Sequence, residues 1–552
     1  MVLAFAALTG CDDSFLDEKI LDKYAPEVLK DKLGFEASVV GIYNHFSTFY
    51  TTDQDQTLNG IWSLGTDIAW APAGRSNGNA RPYFDYALLT PDDEASRKLW
   101  GYLYKIINNA NALIANAESG QTTGMTQAEL DAYNAEARFF RAYAYNMLAT
   151  LYGDVPLLTE PLSVARTDFV RTPLAEVNQA IARDLAFAAA HLPDIASKSG
   201  RANKYMAHQL AAEFYLRTDE PQKAERHCDT IINSGRFSLI TERFGVKANQ
   251  DGDPFSDMFI YRNQRRSQGN TETIWALELE NPTDVPGGAT SFPQQRRIWV
   301  AAYYDIKGMK PADSLGGRGI ARLRLNDWVL YRLYEPGDMR NSKFNIKRQL
   351  YFNNPDPLFT DIWGKAVPYG VNAVFPVVDP NNPSRKDTVK IFASDTVWRI
   401  APYTMKWGQY DERDEFGYGM WKDFIFMRLG ETYLLRAEAR FKQNNLEGAA
   451  DDINVIRDRA NASLIDDSDV DLDFILDERA RELLAEENRR MTLVRTKTLV
   501  RRAKTLSGEG PLANGEIETT NGLSDKHLLL PIPQSEIDLN KDAELKQNDG
   551  YL

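Results

Sequence analysis

The sequence predicts a mainly α-helical protein built from four tetratricopeptide-like helix hairpins, with an irregular, loop-rich lobe inserted between the third and the fourth. Three observations predict this fold. Apolar residues recur at three- and four-residue steps over long stretches of the first half, which is the period of an amphipathic helix. Two later segments, 204–235 and 424–460, resemble copies of one hairpin. Between them, over about 236–420, the helical period fades.

The most regular helices are predicted over 94–118 and 127–152. Their apolar positions are Leu99, Leu103, Ile106, Ala110, Leu113 and Ala117 in the first, and Leu130, Tyr133, Ala137, Phe140, Ala144, Met147 and Leu151 in the second. Gly153 ends the second helix, because glycine commonly follows the last helical turn. A further helix is predicted from Pro173 to about His191, where a Leu-Pro pair ends it.

Each copy of the later hairpin carries two alanines twelve residues apart on its facing helices. They are Ala212 and Ala224 in one copy, and Ala437 and Ala449 in the other. Small residues at this offset let two antiparallel helices approach closely, as they do in tetratricopeptide repeats. Less regular pairs at about 35–117 and 127–191 bring the number of predicted hairpins to four.

The stretch over 236–420 is predicted to form loops and short strands, because Gly, Pro, Asn and Asp punctuate its short apolar runs. Loops this long in a compact domain are usually functional or disordered, and the Trp and Tyr content argues against disorder. After it, 421–461 completes the repeats, and 462–552 forms a C-terminal helical region that begins with a long charged helix over about 473–506.

The N-terminus carries the pattern of a lipoprotein signal. An apolar run over 2–8 leads into Leu8-Thr9-Gly10-Cys11, the pattern that a lipoprotein signal peptidase cuts to leave Cys11 acylated. The run is too short to span a bilayer. We therefore predict a truncated signal over 1–10 and a lipidated tether over 11–33, with enough acyl chains for stable anchoring outside the cytoplasm. The alternative is a hydrophobic N-terminus with an accidental cysteine.

Composition and motifs argue against several functions. A net charge of -14 argues against a nucleic-acid binder, which needs a basic face. The five histidines and two cysteines show no metal-ligand spacing, and no nucleophile-elbow or phosphate-loop motif is present, so we predict no metal and no cofactor. Asp467, Asp469, Asp471 and Glu478 copy part of a calcium loop, but Leu472 stands where such a loop needs glycine. We interpret these acids as the start of a helix.

Two further features are interpreted as structural. Cys228 falls on the apolar face of a predicted helix, so we expect a small buried side chain rather than a reactive thiol. A basic cluster near the end of the long charged helix is interpreted as a solvated face. Its members are Arg495, Lys497, Arg501, Arg502 and Lys504.

Aromatic residues in loops are the stronger functional signal. The candidate binding residues are Trp70, Asn77 and Arg81 in one loop, and Trp299, Tyr303 and Tyr304 in the lobe. A sugar ring has an apolar C–H face and a polar rim, so a flat aromatic platform with Asn and Arg at its edge can stack on the face and hydrogen-bond to the rim. The alternative is that these aromatics pack the loops themselves.

Several segments together resemble the SusD/RagB family, the surface glycan-binding lipoproteins of the Bacteroidetes. The segments that carry the resemblance are 11–17 (CDDSFLD), 135–145 (AEARFFRAYAY), 151–157 (LYGDVPL), 428–439 (RLGETYLLRAEA), 454–460 (NVIRDRA), 478–483 (ERAREL), 530–533 (LPIP) and 547–551 (QNDGY). They span nearly the whole chain. One departure is Arg489-Arg490, where the family usually has an aromatic residue followed by Asp, and we expect altered local packing there.

The resemblance implies one SusD-like domain over 34–552 in which the hairpins form a right-handed superhelical scaffold over 34–235 and 421–461. It implies no catalysis. It implies a lipid-anchored protein at the cell surface of the outer membrane, which captures an oligosaccharide or polysaccharide for a SusC-like TonB-dependent transporter. The ligand would lie against aromatics in a loop after the first repeat helix and in the central lobe, where the six candidate residues lie.

Three alternatives stay open. The same fold binds peptides or glycoproteins in some relatives, and a lobe without an exposed, stackable Trp would favour that ligand. A glycoside hydrolase would need two carboxylates facing each other across a cleft. A structural scaffold would use its repeats for protein contacts and bind no sugar. Five arginines near the predicted site hint at acidic sugars, although pairing with the many carboxylates is the simpler interpretation. They are Arg296, Arg297, Arg318, Arg322 and Arg324.

Overall fold

The computed structural model describes residues 30–51, 58–72, 80–196, 198–507 and 520–551. The predicted signal over 1–10, Cys11 and most of the tether over 11–33 lie outside these described residues. Within the described residues, no helix is long and apolar enough to cross a membrane.

The chain is mainly helical, as predicted. The helices are α1 Lys32–Tyr50, α2 Glu94–Glu118, α3 Gln127–Leu151, α4 Leu174–His191, α5 Lys204–Arg217, α6 Pro221–Ile232, α7 Pro254–Asp257, α8 Gln295–Trp299, α9 Asp327–Tyr331, α10 Leu429–Lys442, α11 Leu446–Arg459, α12 Leu472–Glu482, α13 Arg489–Arg495, α14 Leu499–Leu506 and α15 Gln534–Leu539. The bounds of α2 agree with the predicted helix, and α3 and α4 agree to within two residues at each end.

Local signals explain where the two long helices begin. The carboxylate of Asp93 accepts a hydrogen bond from the Ser96 amide and caps α2. Thr126 and Glu129 bond reciprocally in a capping box at the start of α3. Each cap satisfies amides that have no partner inside the helix, which stabilises a helix by about 1 kcal/mol. The two helices pack against each other and bury the apolar stripes that the sequence period predicts.

The third and fourth hairpins, α5–α6 and α10–α11, have the predicted alanine contacts. All four alanines of the sequence analysis are fully buried. Each hairpin turns on a residue with a left-handed backbone, Asp219 and Asn444, both with φ of 60°. α6 packs directly on α10, where Cys228 is buried beside Leu435 and Ala439, so the two hairpins adjoin although the lobe separates them in sequence.

The strands form small antiparallel pairs. They are β1 Ala69–Trp70 with β3 Arg324–Leu325, β2 Thr273–Leu277 with β8 Phe424–Arg428, β4 Ile346–Lys347 with β7 Tyr403–Thr404, and β5 Ala373–Asp379 with β6 Asn382–Ile391. The prediction that the last hairpin is helical from 424 is wrong, because 424–428 pairs with β2 and closes the base of the lobe.

Two hydrophobic cores meet at the short helix α8. Ile298 and Trp299 belong to the main core, which runs through α1 to α5. Val300 and Ala301, the next residues, belong to a separate core inside the lobe. All five residues of α8 are therefore buried, including its two arginines. The division of the chain into scaffold, lobe and C-terminal region, and the handedness of the superhelix, stay predictions.

The long charged helix predicted over 473–506 is wrong. The chain instead forms α12, α13 and α14, separated by Ala485 with φ of 63° and Lys497 with φ of 58°. Side chains distant in sequence donate hydrogen bonds to the backbone carbonyls that would accept from amides in a continuing helix. Arg428 and Lys406 donate to the carbonyl of Glu482, and the Trp407 indole donates to that of Ala485. An Asn488 side chain then caps α13.

The prediction that the acids over 467–471 lie at a helix start is confirmed, and the prediction for the basic cluster is wrong in part. Asp471 caps α12 through the Phe474 amide, as a helix start requires, and the described residues contain no cluster of acids, His and Cys that could hold a metal. The basic cluster is a solvated face only in part, because Lys497, Arg501 and Lys504 are exposed but the other two arginines are not. Arg495 and Arg502 are buried, and they pair with Glu438 and Asp67.

A pH-dependent contribution to stability is expected from His527. Burial, above all, lowers its pKa to about 4, from about 6.5 in an unfolded chain. Because the unfolded chain then binds the proton more readily, stability falls as the pH drops from about 6.5 to about 4. We expect the stability advantage of wild type over His527→Gln to shrink by about 2–3 kcal/mol between pH 7.5 and pH 4 in urea denaturation. A difference that does not change with pH would contradict this assignment.

Candidate functional site

The structure places three of the six predicted binding residues inside the protein. Trp70 lies in β1, is 4% exposed and has the Arg324 guanidinium 5.3 Å from its ring centre. Trp299 is buried in the main core, and Tyr303 is fully buried with its hydroxyl donating to the Gly317 carbonyl at 2.7 Å. In this structure these three rings support loops, the alternative that the sequence analysis left open.

The remaining predicted residues differ in position. Asn77 lies outside the described residues. Arg81 is exposed at the start of a 3-10 helix, 3.8 Å from the Asp85 carboxylate. Tyr304 is partly exposed on the lobe. The structure brings the ring of Tyr304 together with Tyr303, at 6.1 Å, and among the described residues it brings neither of them against Trp70. A ligand role for these residues stays a prediction.

Tyr304 belongs to a set of side chains that we call the arginine–aromatic cluster. Its members are Arg296, Arg297, Tyr304, Arg318, Phe416 and Tyr418. They come from three segments: the buried helix α8 with the turn after it, the glycine-rich loop over 316–319, and the loop over 409–419. Two of the aromatic members are more than half exposed, Phe416 at 51% and Tyr418 at 54%.

Glycines bring the three segments together. A Cβ on Gly319 would lie 1.9 Å from the Val300 carbonyl, and a Cβ on Gly317 would lie 2.1 Å from the Gln409 carbonyl. Only glycine permits backbone approaches this close, and Gly317 also has a φ of 74°. The glycine-rich loop over 316–319 therefore carries Arg318 against both α8 and the 409–419 loop.

Arg296 fixes the 409–419 loop. Its guanidinium donates to the carbonyls of Gln409, at 2.8 Å, and Gly417, at 2.9 Å. These bonds hold the two ends of the segment that carries Phe416. Burial, and next the neighbouring Arg297, lower the pKa of Arg296 to about 10, so it stays charged at neutral pH.

Arg297 and Arg318 lie against the same aromatic ring. The guanidinium carbon of Arg297 lies 3.9 Å from the Tyr418 ring centre, and that of Arg318 lies 4.8 Å from it. Arg318 also lies 5.3 Å from the Tyr304 ring and donates to the Phe416 carbonyl. The two cations lower the pKa of the Tyr418 hydroxyl below its ordinary value, Arg318 more than Arg297. Cation–π contacts hold the exposed ring in place.

The cluster concentrates positive charge in an acidic protein. The chain has 78 Asp and Glu against 64 Lys and Arg, yet within the described residues none of the three arginines forms an ion pair with a carboxylate. Nε and Nη1 of Arg297 and Nε of Arg318 are buried and have no hydrogen-bond partner. The expectation that the arginines of this region pair with carboxylates is therefore wrong for Arg296, Arg297 and Arg318.

Sequence reasoning missed the exposed aromatics of the cluster. They follow a charged run in Asp-Glu-Arg-Asp-Glu-Phe-Gly-Tyr-Gly, over 411–419. A large aromatic residue flanked by glycines in a charged segment has few apolar neighbours in sequence to pack with, and this signal identifies Phe416 and Tyr418. Trp363, also on the lobe, is 52% exposed.

A cleft of about 800 Å³ adjoins the cluster. One wall is 409–413, the first half of the loop that carries the exposed aromatics. The lining also includes Phe259, Tyr261 and Phe344, and its acidic and basic residues are balanced in number. The cleft and the cluster thus share one loop, of which 409–413 line the cleft and Phe416 and Tyr418 belong to the cluster.

Two profiles of related families match most of this chain. The profile described as "SusD family" matches residues 380–551. The profile described as "Starch-binding associating with outer membrane", of the SusD-like type, matches residues 16–216. The chain belongs to the SusD/RagB family. This family consists of binding proteins, which agrees with the prediction that the chain is not an enzyme.

Similar proteins cover nearly the whole chain. SusD-like protein P25 of Formosa agariphila is 24% identical over 96% of this chain and 94% of its own length. The starch-binding protein SusD of Bacteroides thetaiotaomicron is 25% identical over 78% of this chain and 75% of its own. The solved structure of a laminarin-binding SusD-like protein has a TM-score of 0.65 at 19% identity, covering 95% of this chain and all of that one. The structural likeness confirms the SusD fold.

Proposed function

We propose that this SusD/RagB protein captures an oligosaccharide or polysaccharide at the cell surface and delivers it to a TonB-dependent outer-membrane transporter. The observation that carries the proposal is the pair of half-exposed rings, Phe416 and Tyr418, held on the lobe by buried arginines. Relatives described as starch-binding and laminarin-binding support glycan as the ligand class.

The chemistry of the cluster suits a sugar. The open face of Tyr418 offers a flat surface for the C–H face of a pyranose ring, and the neighbouring guanidinium groups offer only donors, which suit hydroxyl oxygens at the rim. Cation–π contacts fix the ring before the ligand arrives, so little side-chain entropy is lost on binding. The exposed Trp363 adds a second stacking surface to the lobe, which favours a glycan over a peptide.

Location and delivery belong to the same proposal. A lipid on Cys11 would hold the protein at the outer membrane, and the tether would let it move over its transporter. The helical scaffold would contact the transporter and turn the lobe toward the ligand. A modest affinity suits this role, because a ligand that is passed onward must also be released.

Removing the open ring should weaken glycan binding. We expect Tyr418→Ala to raise the dissociation constant about tenfold for a glycan that the wild type binds, a loss of ~1.4 kcal/mol, because a stacked ring contributes about that much. Isothermal calorimetry measures the change.

Tyr351→Ala is the matched control, because Tyr351 is 53% exposed on the lobe but makes no contact with the described arginines of the cluster. We expect it to bind as the wild type does. Equal losses in the two variants would place the ligand away from the cluster, and an unchanged Tyr418→Ala would contradict the site.

A further inference from the structure

We infer that the arginine–aromatic cluster recognises an anionic sugar, through a carboxylate or a sulfate group bound between Arg297 and Arg318. The inference rests on the proposed glycan-binding function and names the class of glycan. Its starting point is a deficit of acceptors: among the described residues, the buried Arg297 and the partly exposed Arg318 both have buried N–H groups without a hydrogen-bond partner.

Arg297 shows this deficit most clearly. Arg297 is only 4% exposed, and its Nε and Nη1 have no hydrogen-bond partner among the described residues. A buried donor without an acceptor is costly, and a buried cation without a counter-charge more so. The face of Tyr418 at 3.9 Å compensates only in part, since a cation–π contact is weaker than a charge-assisted hydrogen bond.

These surroundings contrast with those of three other buried arginines. Arg340, Arg428 and Arg459 are equally buried, and each donates to glutamates. At the cluster, the interactions that act on Arg297 come chiefly from Arg318 and from the tyrosines, with the result that burial and Arg318 lower its pKa to about 10. Because no carboxylate among the described residues pairs with Arg297 or Arg318, an anion bound between them would be stabilised.

The geometry suits one acidic group beside a stacked ring. The guanidinium groups lie 3.9 Å (Arg297) and 4.8 Å (Arg318) from the centre of the Tyr418 ring, and among the described residues Arg318 also has a buried Nε without a hydrogen-bond partner. A sugar stacked on the exposed part of Tyr418 would carry an equatorial carboxylate or sulfate toward the guanidinium groups of Arg297 and Arg318. The paired N–H donors of a guanidinium match the spacing of the oxygens in such groups. A small shift of Tyr418, which is exposed on its outer side, would open the approach.

Three consequences separate this site from a neutral-glycan site. Wild type should bind an acidic polysaccharide at least about tenfold more tightly than the same polysaccharide after carboxyl reduction or desulfation, because one charge-assisted bond is worth about that factor. The preference should weaken as salt is raised. Arg318→Ala should abolish the preference, because it should weaken the binding of the acidic polysaccharide far more than the binding of the neutralised form.

The experiment is affinity electrophoresis and calorimetry on the full chain with matched pairs of polysaccharides. One arm pairs polygalacturonate and alginate with their carboxyl-reduced forms, and the other pairs carrageenan with its desulfated form, so that the arms distinguish a carboxylate from a sulfate. Arg318→Ala and Arg297→Gln are compared with wild type and with Tyr418→Ala. Arg318 is the partly exposed member, so its variant keeps the test valid where Arg297→Gln fails to fold.

The outcomes are distinct. A preference for one acidic form, lost in Arg318→Ala and retained at a lower overall affinity in Tyr418→Ala, supports the inference. Equal binding of acidic and neutralised forms by the wild type, or an unchanged preference in Arg318→Ala, overturns the inference and leaves the proposed glycan function standing. If the wild type binds none of the polysaccharides of the two arms and no neutral glycan, both the inference and the proposed glycan function are overturned.

Discussion

Glu482→Gln is expected to cost this protein about 3–5 kcal/mol of unfolding free energy, the range for breaking a buried ion pair. The Glu482 carboxylate is fully buried and accepts hydrogen bonds from Arg428, Arg459 and Arg340. Burial alone would raise its pKa, but the three arginines outweigh burial and lower it well below the ordinary value. The amide of glutamine carries no charge, so three buried cations would lose their shared counter-ion.

The effect should reach the whole fold, because the partners come from distant parts of the chain. Arg428 ends β8 at the base of the lobe, Arg459 lies in the last repeat hairpin, and Arg340 belongs to the lobe itself. Since the folded pKa of Glu482 is lowered, this stability is present above about pH 4.5 and is lost as the pH falls further.

Glu94→Gln is the matched control for this substitution. Glu94 also pairs with an arginine, Arg97 at 2.9 Å, but its side chain is 42% exposed, so we expect a loss below about 1 kcal/mol. Urea denaturation of the three proteins measures both changes. A Glu482→Gln variant that is as stable as Glu94→Gln would show that the buried network does not hold lobe and scaffold together.

Asp67→Asn is expected to have a comparable effect, a loss of about 3–5 kcal/mol. The Asp67 carboxylate accepts from Arg489 at 2.6 and 2.9 Å and from Arg502 at 2.7 Å, and all three side chains are buried. Burial would raise the pKa of Asp67, but these arginines lower it. Arg489 begins α13, and the altered packing expected at Arg489-Arg490 relative to the family stays a prediction.

Asp67 also anchors the loop that carries Trp70. The carbonyl of Asp67 accepts from the Asn326 amide at 2.7 Å and from the Trp328 indole, next to the β1–β3 pair. Faster cleavage of the Asp67→Asn variant by trypsin should therefore accompany its lower stability.

Asp473→Asn provides the control for Asp67→Asn, because Asp473 accepts from the same Arg502, at 2.8 Å, from an exposed position. We expect a loss below about 1 kcal/mol and wild-type trypsin resistance. Equal losses in the two variants would contradict the assignment of a buried anchor to Asp67.

The helical scaffold could be predicted from sequence because its causes are local. Periodic apolar residues and caps define α2 and α3, and the alanine pairs of the later hairpins report a close helix contact within one short segment. The break between α12 and α13 has no such signal. Ala485 is a good helix former, and only donors from Arg428, Lys406 and Trp407, distant in sequence, take over the carbonyls there.

The binding residues were harder to predict, because burial of an aromatic ring depends on the fold around it. Trp299 and Tyr303 follow a loop in sequence, yet α8 and the turn after it lie between two cores, which bury them. Tyr418 lies in a charged run and stays exposed. The lack of carboxylate partners at Arg297 could not be read from a chain with an excess of acids, since pairing is decided by tertiary contacts.

The most direct test of the central claim is retention of the wild-type protein on native gels that each contain one polysaccharide, neutral or acidic. We predict retardation on at least one glycan, relative to a non-binding protein of similar size. Retardation on none of them, by a protein whose circular dichroism shows the helical fold intact, would contradict glycan capture as the function of this chain.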